Sequence, residues 1–243
     1  MFSLQKNLEE WQPAALPVDV TLAGRWVLLE PLSAARHAPE LWQAVHGQDA
    51  VWTWLNDGPY ANEEELAGAL LAKEQGPAAR FFALRPHGPS HKPGPAVGYA
   101  SLMRIDAANG VIEVGNVMFS PTLQRTPAAT EAMYLMARHI FEDLGYRRYE
   151  WKCNAQNTPS RRAAERLGFT FEGIFRQHMV SKGQNRDTAW YSMLDHEWPA
   201  RKAAFDAWLV PENFDANGHQ KRTLRSFSPP RRMMRRITDP SPV

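Results

Sequence analysis

Residues 111–145 read VIEVGNVMFSPTLQRTPAATEAMYLMARHIFEDLG, and this stretch decides the fold. Val111 to Phe119 is rich in β-branched and apolar residues and predicts a strand buried along most of its length. Ser120 and Pro121 stop it. After a short connection a helix begins: Thr126 suits the N-cap, and Pro127 suits the first helical position, where no N–H is needed. Ala129, Met133, Met136, Ile140 and Leu144 recur at helical spacing, Glu131 complements the positive end of the helix dipole, and Gly145 is the expected terminator. A buried strand therefore feeds a helix whose N-terminus projects past the strand's end. Backbone N–H groups there favour an anion, most often a phosphate.

Working outward, YRRYEWKCNAQN (146–157) predicts the next strand, and NTPS opens a short helix, RRAAERLGF, that returns to a strand. The order strand, loop, helix, strand, helix, with N-x-x-S at Asn157 to Ser160 and L-G-F at Leu167 to Phe169, resembles the GCN5-related N-acetyltransferases. Within them the likeness is to the ribosomal-protein alanine acetyltransferase (RimJ/RimL-like) branch. ATEA at 129–132, EGIFR at 172–176 and RDTAWYSM at 186–193 add to it. The resemblance covers roughly residues 20 to 200. It implies an α/β (α+β) domain, a mixed and largely antiparallel sheet of about seven strands flanked by helices, using acetyl-CoA as co-substrate and no metal.

The family's pyrophosphate loop usually reads Q/R-x-x-G-x-G/A. Here the loop is Gln124-Arg125-Thr126-Pro127-Ala128-Ala129, with Pro127 where the central glycine would stand. Proline deletes one N–H and access to positive φ. Phosphate binding is then expected from the N–H groups of Arg125, Thr126, Ala128 and Ala129, with the Thr126 hydroxyl and the Arg125 charge assisting. The bland reading is a well-capped helix and nothing more.

The resemblance also implies where the chemistry sits. The coenzyme's pantetheine arm pairs with the end of the central strand, Val117, Met118 and Phe119, where it splays from its neighbour. A backbone N–H there could polarise the thioester carbonyl. Asn157 and Ser160 match a pantetheine contact and a group near the sulfur that could protonate the thiolate. On position alone, they close a turn and begin a helix. Glu113 is the leading candidate base, because a carboxylate inside an apolar strand is costly unless paired or used, and burial raises its pKa. Glu150 on the next strand is second. Either could instead be held in an ion pair with Arg104 or Lys152. Trp52, Trp54 and Tyr60 lie in the segment expected to wall the acceptor pocket, although such aromatics are more often core.

Composition narrows the rest. With 243 residues, 44% hydrophobic and 22% charged, the chain has an ordinary globular balance and enough length for one good core. There is no apolar run long enough for a membrane span, and MFSLQKNLEEWQP has no apolar signal core, which points to the cytoplasm. One cysteine, Cys153, leaves no internal disulfide and no multi-cysteine metal site. The net charge of +2 hides an asymmetry: seven basic residues against Asp239 give residues 221–243 a balance of +6, so the remainder carries −4. A body of that sign carries no nucleic-acid footprint.

The expected organisation is an N-terminal arm (1–19), the acyltransferase domain (20–200), a C-terminal helical extension (201–224) and a basic disordered tail (225–243). Strands are expected at 25–30, 80–85, 96–105, 170–180 and 188–194, the last two joined by SKGQNRD (181–187). Helices are expected at 33–46, after Asn62, and from Pro199, with order fading from Pro211. The activity so read is N-acyl transfer, by direct attack, to a primary amine: a small molecule or a protein N-terminus, with a monomer or homodimer as the working form. The crowding of aromatics and the lack of a basic core surface favour a small acceptor. Alternatives are succinyl or another larger acyl donor on the same fold, and a non-catalytic acyl-CoA-binding regulatory module.

Overall fold

The structure, a computed structural model, describes residues 8–88, 90–216 and 218–228. The basic tail expected at 225–243 lies, from residue 229 on, outside the described residues. An eight-stranded sheet runs in the order β1-β2-β3-β4-β5-β6-β8-β7. In chain order these are β1 (Leu22–Ala23), β2 (Val27–Pro31), β3 (Ala79–Pro86), β4 (Gly98–Asp106), β5 (Val111–Phe119), β6 (Arg148–Asn154), β7 (Thr170–Ser181) and β8 (Gln184–Leu194). The one parallel pair is β5 with β6. All other neighbours are antiparallel. The parallel step requires a crossover, and α3 (Pro127–Arg138) supplies it.

The caps read from the sequence make α3 start where it does. Thr126 Oγ1 accepts from Ala129 N at 3.1 Å, and Pro127 takes the first turn. The helix ends differently from expectation. After Arg138 it widens into one π turn, His139–Asp143, before Gly145 turns the chain at φ +74°. Ten of the twelve α3 residues are buried, so this helix is wrapped by protein on nearly all sides. Glu131 does not serve the helix dipole. Its carboxylate accepts from the backbone N–H of Arg25, Trp26 and Val27 at 2.6–3.0 Å and so anchors the start of β2. A Cβ on Gly24 would come within 2.2 Å of that carboxylate, so a larger residue there would push the Glu131 side chain off its three N–H partners.

The sheet divides the interior into two cores. On one face α3 and α5 (Trp198–Trp208) pack with Ile112, Val114, Met133, Tyr149, Phe205 and many others. Burying a side chain such as Phe205, 2% exposed, stabilises by about 1.5–3 kcal/mol. On the other face α1 (Ala34–Val45) and α2 (Glu63–Gln75) form a smaller core with Leu41, Trp52, Leu66, Leu70, Tyr99 and Met118. Asn62 caps α2 by accepting from Glu65 N, while Glu65 reaches back to Ala61 N rather than to the cap residue. Ser33 at the start of α1 makes no side-chain cap; its N–H donates to His37 Nδ1 at 3.0 Å instead.

Order persists past Pro211, against the sequence expectation. Phe214 (8% exposed) and Leu224 (2%) belong to the larger core. Asn213 fixes the fold-back, donating to Trp208 O and Arg222 O and accepting from Arg222 N. The hairpin from β7 to β8 is also tighter than the seven residues read as a turn. Lys182 (φ +49°) and Gly183 (φ +74°) alone make the reversal, and both strands reach it. The arm at residues 8–18 lies on the body. Ala14 N bonds Ala107 O, and the Trp11 indole donates to Ala108 O at 2.8 Å.

Candidate active site

The site begins where β5 and β6 part. They pair from Val111–Val114 against Arg148–Trp151 and no further. Beyond that point β5 stays with β4, through Gly115, Met118 and Phe119, while β6 stays with β8, through Lys152 to Asn154. The cause is a bulge. Between the pairs Ser101↔Gly115 and Tyr99↔Met118, β4 inserts Ala100 alone but β5 inserts Asn116 and Val117, with Asn116 at φ +48°. An extra residue bends its strand and turns it away from the partner. Val117 to Phe119 are thereby left without a strand partner on the side of β6. Asn116, the residue that makes the opening, is a site element that the sequence reading missed; a lone Asn among β-branched neighbours was the available signal.

At the end of β5 the chain turns into the loop Gln124–Ala129. The left-handed residue of that turn is Arg125, at φ +63°. Pro127 is therefore not asked for positive φ, and its missing N–H falls where the helix needs none. Gln124 Nε2 donates to Phe119 O at 2.9 Å, tying the loop to the strand end. Thr126 N donates to Leu123 O and Ala129 N to Thr126 Oγ1. Among the described residues, the N–H groups of Arg125 and Ala128 keep no such partner.

On the face of the sheet shared with α1 and α2, register places Met103, Glu113, Glu150 and Ser192 in one row, followed by Lys152 beside Trp190. Here the charges form a chain. Lys152 Nζ sits 2.9 Å from Glu113 Oε2 and 2.7 Å from Glu150 Oε2. It also lies 3.8 Å from the centre of the Trp190 ring. Arg104 Nη1 donates to Glu113 Oε2 at 3.2 Å. Arg148 donates to Glu150 and forms a two-bond fork with Glu172. Both carboxylates named from the sequence are thus brought together, 4–6% exposed, bridged by one lysine. Burial pushes the Glu113 pKa up, the Lys152 and Arg104 charges pull against it, and the balance remains above the ordinary carboxylate value.

Asn157 and Ser160 stand at the start of α4 (Thr158–Leu167). Asn157 Oδ1 accepts from Ser160 N at 3.0 Å, the N-cap contact, and Ser160 Oγ accepts from the Trp151 indole at 3.0 Å. An accepting hydroxyl keeps its own proton for donation. The Cys153 thiol has its pKa raised by burial. Of the three aromatics expected at the acceptor wall, Trp52 is a core residue, 2% exposed, packed edge-on to Tyr60 at 5.1 Å. Tyr60 donates to Asp57 Oδ2, and Trp54 is 39% exposed. The segment carrying them is clamped by the β7–β8 hairpin. Lys182 Nζ donates to Trp52 O and Gly58 O, and Ser181 Oγ donates to Asn56 Oδ1. Two buried donors on β8, Arg186 Nε and Trp190 Nε1, have no hydrogen-bond partner. Each costs about 1–3 kcal/mol in that state.

Among the described residues no cluster of three or more His, Cys, Asp or Glu could hold a metal ion, and no helix is long and apolar enough to cross a membrane.

Comparison with known proteins bears on this geometry. Residues 27–170 match the acetyltransferase (GNAT) domain family. The chain is 51% identical to a GCN5-related N-acetyltransferase of known structure from Brucella melitensis, over 90% of this chain and 99% of that one, with a TM-score of 0.86. It is also 29% identical over 109 residues to the Bacillus subtilis protein named "Putative ribosomal N-acetyltransferase YdaF", which carries the RimJ/RimL-like likeness; the match covers 45% of this chain and 59% of that relative. A similar match, 29% over 102 residues, covers 42% of this chain and 57% of the "Uncharacterized N-acetyltransferase p20" of Bacillus licheniformis. The chain thus spans less than two thirds of the length of these curated relatives. Sheet order, the parted central strands and the matched family agree, and this chain belongs to the GCN5-related N-acetyltransferase family.

Proposed function

We propose that this chain transfers an acetyl group from acetyl-CoA to a primary amine by direct attack, with no acyl-enzyme. The observation that supports it most is the opening between β5 and β6. It exposes an unpaired strand edge, with the free N–H groups of the Gln124–Ala129 loop past one end and the bridged carboxylates Glu113 and Glu150 at the other. The strand edge at Val117 to Phe119 suits the amide-rich pantetheine arm, and the Arg125 and Ala128 N–H groups suit the pyrophosphate. Bound acetyl-CoA supplies the activated acyl group.

The remaining work falls to side chains. Glu113, held in place by Lys152 and Arg104 and with its pKa raised by burial, is suited to take the proton of the acceptor ammonium. Glu150 shares the lysine and is the reserve. Ser160, which accepts from Trp151 and retains its own proton, suits delivery of a proton to the leaving thiolate. A β5 backbone N–H beside the bulge suits stabilisation of the developing oxyanion.

An amine panel with acetyl-CoA and succinyl-CoA, read by release of free thiol, tests the reaction and the donor. Acetyl-CoA should also raise the melting temperature, and Ala128→Asp should abolish that rise by setting negative charge against phosphate. Binding without turnover on any amine would replace the enzyme with an acyl-CoA-binding module. Unchanged binding in Ala128→Asp would move the phosphate site elsewhere.

A further inference from the structure

β8 carries Arg186, Thr188, Trp190 and Ser192 on one face, since alternate residues of a strand point the same way. That face also holds Lys152 and Glu150, through the pairs Lys152↔Trp190 and Glu150↔Ser192. Two of these β8 side chains, Arg186 and Trp190, present buried N–H groups, Nε and Nε1, that no protein acceptor among the described residues satisfies. Arg85, Arg104 and Arg148 each reach a carboxylate. Arg186 reaches only the side-chain amide oxygen of Asn56, at 3.4 Å from Nη1, and no carboxylate among the described residues pairs with it.

The nearby anions are already committed. Glu113 is taken by Lys152 and Arg104, and Glu150 by Lys152 and Arg148. Cationic charge nevertheless converges here. The His178 pKa is lowered by burial and then by Arg104, Arg186 and Lys152 together, and Arg186 itself feels both Arg104 and Glu113. His178 Nδ1 lies in hydrogen-bond contact with Thr188 Oγ1 at 2.9 Å. The place of Arg186 is set by the hairpin clamp, since Lys182 and Ser181 fasten β7–β8 to the 52–58 segment. Donors in excess, fixed in position and lacking an acceptor, call for an anion brought by a ligand.

We propose that the acceptor carries a carboxylate close to its amine, and that Arg186, with the Trp190 indole N–H four residues along, binds this carboxylate while the amine faces Glu113. This deepens the acyl-transfer reading above and rests on it. The shared chemistry is an amine with a neighbouring carboxylate, whether the α-carboxylate of a free amino acid or the side chain of an acidic first residue of a peptide.

The test uses matched acceptors with acetyl-CoA and the full chain. One arm sets free amino acids against their carboxamides. The other sets C-terminally amidated peptides beginning with glutamate against those beginning with glutamine. In one arm, kcat/KM should favour the carboxylate by about a hundredfold, most of it in KM, in keeping with a buried charged pair. Arg186→Gln should collapse that preference toward unity, and Arg186→Lys should keep part of it. The arm that shows the preference identifies the source. Equal rates within every pair, or a preference that survives Arg186→Gln, would overturn the proposal while leaving acyl transfer standing. A Kd for acetyl-CoA that rises in step with the loss in kcat/KM would assign Arg186 to the coenzyme and overturn it as well. If no amine turns over, acyl transfer fails first, and binding then decides the carboxylate site. The Trp190 indole N–H resonance, assigned with Trp190→Phe, should shift on titration with the carboxylate probes and not with the amides. No shift with either would reject the site.

Discussion

Glu30 on β2 and Glu113 on β5 are both poorly exposed carboxylates ringed by cations, yet their surroundings displace them in opposite directions. Glu30, with its side chain 12% exposed, loses hydration by burial, but hydrogen bonds from Arg36, His37 and Arg85 outweigh that and hold its pKa down at about 2. Arg36 and His37 pair with no other carboxylate among the described residues, and Arg85 reaches Glu40 only at 4.0 Å. Glu113 is 5% exposed, so the burial penalty is larger, and it must share Lys152 with Glu150, whose charge adds repulsion. Its pKa therefore stays raised. The comparison teaches that the ratio of donors to carboxylates, together with depth, separates a fastening from a group that can accept a proton at useful pH.

The largest way to break this contrast is to remove the shared cation. Lys152→Ala leaves Glu113 and Glu150 facing each other in a site that excludes water, and should cost about 3–5 kcal/mol of stability at pH 7 by urea denaturation. Acidification should return part of the loss as the carboxylates take protons. A loss under about 1 kcal/mol would mean that the pair is solvated, and the case for a buried base would weaken.

Next comes chemistry. Glu113→Gln should lower the transfer rate by roughly a hundredfold while leaving acetyl-CoA binding intact, and the apparent pKa in the wild-type kcat/KM profile should vanish. Glu30→Gln should leave that profile in place. A Glu113→Gln variant with full rate and an unchanged profile would leave the proton to solvent.

The stability–pH curve should show the same opposition. Because the Glu30 pKa is lowered on folding, its contribution is present above about 4.5 and is lost as pH falls toward about 2. Because the Glu113 pKa is raised, its contribution is fully present below about 4.5 and is lost as pH rises through its folded value. Glu30→Gln should flatten the acid limb, and Glu113→Gln should remove a decline on the other side. Parallel shifts in the two variants would refute the contrast.

The smallest effect sharpens it. Arg36 bonds Glu30 from a side chain 58% exposed, with His37 and Arg85 remaining behind it. Arg36→Ala should cost no more than about 1 kcal/mol, and less at high salt.

Some of this was decided by local chemistry, and so was readable in advance. The strand at 111–119, the cap at Thr126 with Pro127 behind it and the cap at Asn157 depend on residues within four positions of one another. Such signals survive without any knowledge of partners. The pairing of Glu113 or Glu150 with Lys152 could be posed as an alternative, because alternation along the two strands already put the charges on one face.

What escaped the sequence depends on partners distant along the chain. Whether β5 leaves β6 at Val114 turns on the register against β4, and a period-two pattern looks the same on either side of a bulge. Glu131 reads as a residue of the first helical turns; its use by backbone groups more than a hundred positions earlier appears only once α3 lies on β2. The segment after Pro211 has no periodicity, and Phe214 and Leu224 are ordered because the larger core offers places for isolated side chains. Arg186 stood in the sequence as the first residue of RDTAWYSM, with nothing to mark it as a ligand for an anion. Only the folded chain buries its Nε without giving it a carboxylate, because the carboxylates of that face were claimed by cations from β4 and β6.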